Sequence, residues 1–146
     1  MAVHTTANKE TIERAGFPSV GPKLGLIQAT VDLVTLVSAN DIADAFALPA
    51  GTLVMATGIE VIVPTTNGVT VSVGLDGTGA GSRTEFSGEL AVDGAAGTKL
   101  PAAGYTTANY LLSAADIVVV EISDDPGAAL GQIRVWMVIA DISDLA

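Results

Sequence analysis

One histidine, His4, and no cysteine are all that the sequence offers the commonest nucleophilic and metal chemistry. Thiolate catalysis, disulfides and cysteine-based zinc sites are therefore excluded, and a histidine pair within one chain cannot ligate a metal. Ser-His-Asp catalysis needs an imidazole beside a hydroxyl. His4 lies instead in a polar N-terminal segment, MAVHTTANKETIERAG, and reads as a solvated terminal residue. The glycine-rich stretch Gly74–Arg83 (GLDGTGAGSR) lacks the Lys-Ser/Thr of a phosphate loop. Its Gly77-Thr78-Gly79-Ala80-Gly81-Ser82 ends in serine where a dinucleotide fingerprint needs glycine, so it reads as a loop between strands. Asp76 opens that loop, but the acids or amides of an EF-hand are missing from the third and fifth places. Asp124 and Asp125 precede Pro126-Gly127. They are either an ordinary solvated turn or an adventitious calcium site. A glycosidase needs two carboxylates about 5–9.5 Å apart in a cleft, and sixteen acids will supply such a pair by chance. Only six aromatics accompany them: Trp136, Tyr105, Tyr110, Phe17, Phe46 and Phe86. Tyr105, Tyr110 and Trp136 are the one set that would make a sugar-binding patch, and core or rim packing is their plainer role. The chain reads as a non-enzyme with no cofactor and no metal.

The remaining composition narrows the class. Half of the 146 residues are apolar and only 15% are charged, which is too apolar for a disordered chain. Acids outnumber Lys and Arg 16 to 6, giving a net charge of −10 and an isoelectric point near 4.1. Such a surface repels phosphate backbones and anionic lipid, so neither nucleic acid nor a membrane is the expected partner. No apolar run approaches the roughly 18–20 residues of a membrane span. The N-terminus has no apolar stretch of the signal-peptide kind.

The elements follow from spacing. Residues 1–24 form an N-terminal arm holding Lys9, Arg14 and Lys23, three of the six basic groups, with prolines at 18 and 22. Asn8 would cap a short helix through Ala15, with Glu10 and Glu13 near its positive end and Gly16 as its stop. Residues 25–146 carry fourteen of the sixteen acids and read as strands. Val69, Val71, Val73 and Leu75 alternate with Thr70, Ser72 and Gly74, a period of two. Leu26–Val37 is rich in β-branched residues and broken by Asp32. Ile42–Leu48 leads to the turn Pro49-Ala50-Gly51, and Thr52–Val63 follows, with Gly58 as the expected bulge or bend. Phe86–Val92, Ile117–Ser123 and Gln132–Ala140 complete the set. Ala43–Leu48 and Ala108–Ala115 are the only body segments with room for a helical turn. About eight short strands with frequent turn signals predict an all-β fold, an antiparallel β-sandwich of jelly-roll type with an extended N-terminal arm.

The last strand carries a further expectation. Ile133, Val135, Met137 and Ile139 line one face, and Arg134, Trp136, Val138 and Ala140 the other. Both faces are largely apolar. The strand is either covered on both sides within one subunit, or its second face meets a neighbouring chain. The second reading makes Arg134, Trp136 and Val138 self-association residues.

Four segments, in order, resemble small virion proteins of tailed bacteriophages. Asp41–Val61 (DIADAFALPAGTLVMATGIEV) is similar to their apolar strand, Pro-Ala-Gly-Thr turn and Gly-x-Glu-Val ending. Val73–Gly77 (VGLDG), Leu112–Ile117 (LSAADI) and Gly131–Asp141 (GQIRVWMVIAD) look like the turn and strand patterns that follow. The resemblance implies a capsid decoration (cement) or head-fibre protein on the outside of the virion, assembled in the host cytoplasm, and it implies no catalytic residue. The expected partners are the major capsid protein and further copies of the chain, in a homotrimer. The arm, through Lys9, Ile12, Arg14, Phe17 and Lys23, is the expected shell contact. A receptor- or glycan-binding module and a head–tail connector or tail component are the alternatives.

Overall fold

The computed structural model describes residues 23–76, 82–101, 106–124 and 131–143. The expected helix at 8–15 and the arm residues Lys9, Ile12, Arg14 and Phe17 lie outside them. Nine strands run in chain order among the described residues: β1 (Lys23–Asp32), β2 (Ile42–Leu48), β3 (Thr52–Val63), β4 (Thr70–Leu75), β5 (Ser87–Ala91), β6 (Lys99–Leu100), β7 (Thr106–Leu111), β8 (Asp116–Ile122) and β9 (Gln132–Asp141). They make two sheets. The first, sheet A, has the order β1-β9-β3-β6, with β7 also pairing β3. The second, sheet B, has the order β2-β8-β4-β5. All strand pairs are antiparallel. The fold is a β-sandwich, as the strand spacing predicts.

Side-chain alternation builds the core between the sheets. Ile27, Ala29 and Val31 of β1, Ile59 and Val61 of β3, and Ile133, Val135 and Met137 of β9 are buried from sheet A. Val71, Val73 and Leu75 of β4, and Val118, Val120 and Ile122 of β8, meet them from sheet B. Phe86 and Tyr110 pack edge to face inside, with ring centroids 5.8 Å apart, the arrangement that the ring quadrupoles favour.

Asp32 breaks the first apolar run as expected. Its carboxylate accepts from the Val34 amide at 3.1 Å and caps the short 3-10 turn Leu33–Thr35. After Pro49, Gly51 takes φ +83°, and a Cβ there would stand 2.8 Å from that of Ser143, so the turn requires glycine.

Three local expectations are corrected. Gly58 is neither bulge nor bend: β3 bulges between Val54 and Ala56 and again between Val61 and Val63, while Gly58 keeps regular register opposite Trp136. The segment from Ala108 contains no helical turn, because residues 106–111 form β7 along β3, with Leu111 opposite Leu53 and Tyr110 opposite Val54. Ala43–Leu48 likewise belongs to β2 and pairs with β8. In both cases an open sheet edge outweighs the helical preference of Ala and Leu.

Candidate interaction surface

The antiparallel register places the outward-facing residues of sheet A in rows running across β1, β9, β3 and β7. One row is Leu24, Ala140, Leu53 and Leu111. The next is Leu26, Val138 and Ala56, and the third is Gln28, Trp136 and Gly58. The fourth is Thr30, Arg134 and Glu60. The face is thus divided along the strands into an apolar end and a polar end. At the apolar end Leu24, Leu26 and Leu111 are 48%, 55% and 52% exposed. Ala140 is buried beneath its neighbours in that row, and Trp136 and Val138 are half-buried. At the polar end Arg134 Nη1 donates to Glu60 Oε2 at 2.9 Å.

The three residues expected to mediate self-association, Arg134, Trp136 and Val138, therefore share one outer face, and the alternation read from β9 is the observed one. Lys23 is the first residue of β1, in register with Asp141 of β9, so the strand begins inside what the sequence assigns to the arm. Leu24, Leu26, Leu53 and Leu111 extend the apolar surface and were not singled out from the sequence. A period of two marks Leu24 and Leu26, whereas Leu53 and Leu111 join the surface through strand register alone. The pairing of β7 with β3 that adds Leu111 leaves no local trace.

Of the aromatic set, Tyr110 and Trp136 do not share a face, and Tyr110 takes the plainer role of core packing. Tyr110 stands opposite Val54 on the core side and packs on Phe86, whereas Trp136 lies on the outer side. Tyr105 lies outside the described residues, as do His4, Gly77–Gly81 and Asp125. Among the described residues no cluster of three or more His, Cys, Asp or Glu has the disposition to hold a metal ion. No described helix is long and apolar enough to cross a membrane.

Sheet B presents a different outer face. Residues 82–85 lie across it at Gly74, where a Cβ would collide with the Arg83 carbonyl carbon. Only a residue without a side chain permits that approach. The crossing is fastened by Leu75 N donating to Ser82 O at 2.8 Å and by Arg83 Nη1 on Glu121 Oε2 at 2.6 Å. Ser72, Thr84, Glu89 and Glu121 line a polar hollow of about 210 Å³ beside it. At one end of the same sheet, Asp76 and Asp116 meet beside a second, more apolar hollow of about 470 Å³. Burial pushes the Asp116 carboxyl above its ordinary range, and its hydrogen bond to Asp76 and the nearby Asp76 charge add to the rise. The Ile117 amide opposes it.

Within the described residues, then, the chain is a β-sandwich that leaves one sheet face apolar and open. Chains of three phage capsids share this fold. A chain of the cyanophage Pam1 capsid asymmetric unit aligns with a TM-score of 0.60 at 18% identity, over 86% of this chain and 89% of that one. A chain of the acidic stable capsid structure of Helicobacter pylori bacteriophage KHP30 aligns at 0.54 and 23% identity, over 85% and 94%. A chain of the capsid of Ralstonia phage GP4 aligns at 0.57 and 17%, over 84% and 87%. No protein-family model matches the chain, and no curated protein sequence does.

Proposed function

We propose that this chain is a structural, non-enzymatic component of a phage virion: a decoration, or cement, protein that assembles as a trimer on the outer surface of the head and clamps subunits of the major capsid protein. The observation that carries this reading is the divided outer face of sheet A, with Leu24, Leu26 and Leu111 exposed in a fold shared with chains of three phage capsids. A sheet face this apolar gains free energy when another surface covers it, at about 25 cal/mol per Å² of apolar area. Trp136 and Val138 supply the apolar part of a self-association contact, and Arg134 with Glu60 a polar border that fixes its orientation.

The arm supplies the second attachment, with Ile12 and Phe17 as apolar anchors and Lys9, Arg14 and Lys23 facing an acidic shell. Modest contacts repeated by the symmetry of the oligomer add up to tight clamping. The overall charge of −10 suits a protein that stays clear of the packaged genome.

The test is to add the purified protein to phage heads stripped of decoration and to reconstruct them by cryo-electron microscopy. Density for the sandwich at symmetry-related positions on the outer shell, three copies to a cluster, is expected. Heads that remain bare at saturating protein, or density confined to the tail or its connector, would overturn the assignment.

A further inference from the structure

β4 turns Ser72 and Gly74 to the outer side of sheet B, because Val71, Val73 and Leu75 are buried in the core. Register sets Ser72 opposite Glu121 of β8. On the other flank β5 is irregular. Val71 pairs with Leu90 and Val73 with Ser87, so Gly88 and Glu89 together stand against Ser72 as a β-bulge. Glu89 takes φ +45° there, a strained conformation for a residue with a side chain. Bulges and strain of this kind gather at ligand sites, where they re-aim a side chain. Ser72, Glu89 and Glu121 border one polar hollow of about 210 Å³.

Ser72 is only 7% exposed and lines this hollow, yet its hydroxyl has no hydrogen-bond partner among the described residues. A hydroxyl set so deep costs free energy until something bonds to it. The Glu89 carboxylate likewise meets no donor among the described residues. At the rim, Ser123 is pinned by two bonds. Its amide donates to the Thr70 carbonyl at 3.0 Å, and its hydroxyl oxygen accepts from the Thr70 amide at 3.0 Å. The Ser123 hydroxyl proton stays available to donate. Glu121 is already balanced by Arg83 Nη1 at 2.6 Å.

These groups select a ligand class. Glu89 is the one carboxylate without a counter-charge among the described lining residues, and it repels anions. A calcium ion takes about six to eight oxygens, several of them from carboxylates, and is poorly served by one. A sugar ring carries neighbouring hydroxyls that each donate and accept. Glu89 can only accept, while Ser72 and Ser123 can do both. The hollow has room for one such ring. No aromatic side chain is among its described lining residues, so hydrogen bonds alone hold the ligand, and the affinity of one site is about millimolar. We propose that the outer hollow of sheet B is a carbohydrate subsite: Glu89 accepts from the hydroxyls of one neutral pyranose, and Ser72 at the floor and Ser123 at the rim bond to its other oxygens. The subsite lies on the opposite sheet from the apolar face of sheet A, so it stays open when that face is covered. It does not rest on the virion assignment.

Amide NMR of the full chain tests it, with glucose, galactose, mannose and N-acetylglucosamine as probes. Glucuronate is the anionic control and calcium chloride the cation control. At about 50 mM, at least one neutral sugar should shift the amides of Ser72, Glu89 and Ser123, whereas glucuronate and calcium should not. Ser72→Ala and Glu89→Gln should each weaken that sugar at least about fivefold. Asp44→Asn, at an exposed position of β2, should leave it unchanged. Glu89→Gly separates binding from folding. It relieves the positive φ, so it should melt no lower than wild type while losing the sugar. Silence of those amides toward all four neutral sugars, binding indifferent to Ser72→Ala and Glu89→Gln, or a response to calcium or glucuronate alone would overturn the assignment.

Discussion

Arg134 of β9 and Glu60 of β3 stand directly opposite each other in the register, and their side chains close a 2.9 Å ion pair across the outer face of sheet A. The pair marks where that face changes character. Beyond it toward Leu24 the rows are mostly apolar, and on its own row Thr30 completes a polar border. Its side chains remain 40% and 24% exposed, so solvent screens much of their attraction. Arg134→Ala should therefore cost no more than about 1 kcal/mol in urea unfolding of the monomer. A loss of several kcal/mol would show that the pair holds the fold together.

Replacing Trp136 with glutamate probes the opposite property. The indole lies on the outer face, so the sandwich should stay folded and keep its far-ultraviolet dichroism, while light scattering reports loss of the oligomer. A charge at the centre of an interface is costly when no partner meets it. An oligomer of unchanged mass would remove Trp136 and its neighbours from the contact.

Gly74→Ala tests the crossing over sheet B. The new methyl meets the backbone at Arg83, which cannot swing aside as a flexible side-chain tip would. Chemical denaturation should show a loss of about 1–3 kcal/mol, the usual cost of overpacking. The Arg83–Glu121 pair should loosen with it. Gly97→Ala is a useful contrast, because it has no neighbour near its Cβ and carries only the strain of its φ of +89°.

Deletion of residues 1–22 separates the arm from the body. The cut must stop there because Lys23 already pairs with Asp141, and removing residues 1–24 would trim β1. The shortened protein should unfold with nearly the wild-type midpoint yet fail to co-sediment with stripped heads. Equal co-sedimentation would refute shell contact through Lys9, Ile12, Arg14 and Phe17.

Much of this architecture is legible in local periodicity. The strict alternation of β4 and β9 and the break at Asp32 can all be read from neighbours a few residues apart. What escapes is set by distant partners. β7 becomes a strand because β3 offers it an edge, although its Ala and Leu neighbours favour helix. Gly58 invites a bulge by its residue type, yet the bulges fall beside Met55 and Ile62, where β3 must stay in step with β9. The candidate surface was half legible: the outward residues of β9 are visible in its own sequence, whereas Leu53 and Leu111 join it only through register. Tyr110 and Trp136 look alike as exposed aromatics until the sheet turns them to opposite sides. The contact between Asp76 and Asp116 leaves no sequence signal at all, because it needs β4 and β8 to be adjacent.

Among the described residues β1 has one sheet neighbour, β9, and β9 is the last strand in chain order. As the chain leaves the ribosome, its first strand must wait through the synthesis of nearly the whole body before a partner exists. Closing so long a loop is slow, and until then β1 and one flank of β3 are bare edges open to stray pairing. Sheet A is therefore completed only when the ten-residue β9 slots between two strands that precede it in the chain. A premature stop before Gln132 would leave sheet A without its middle.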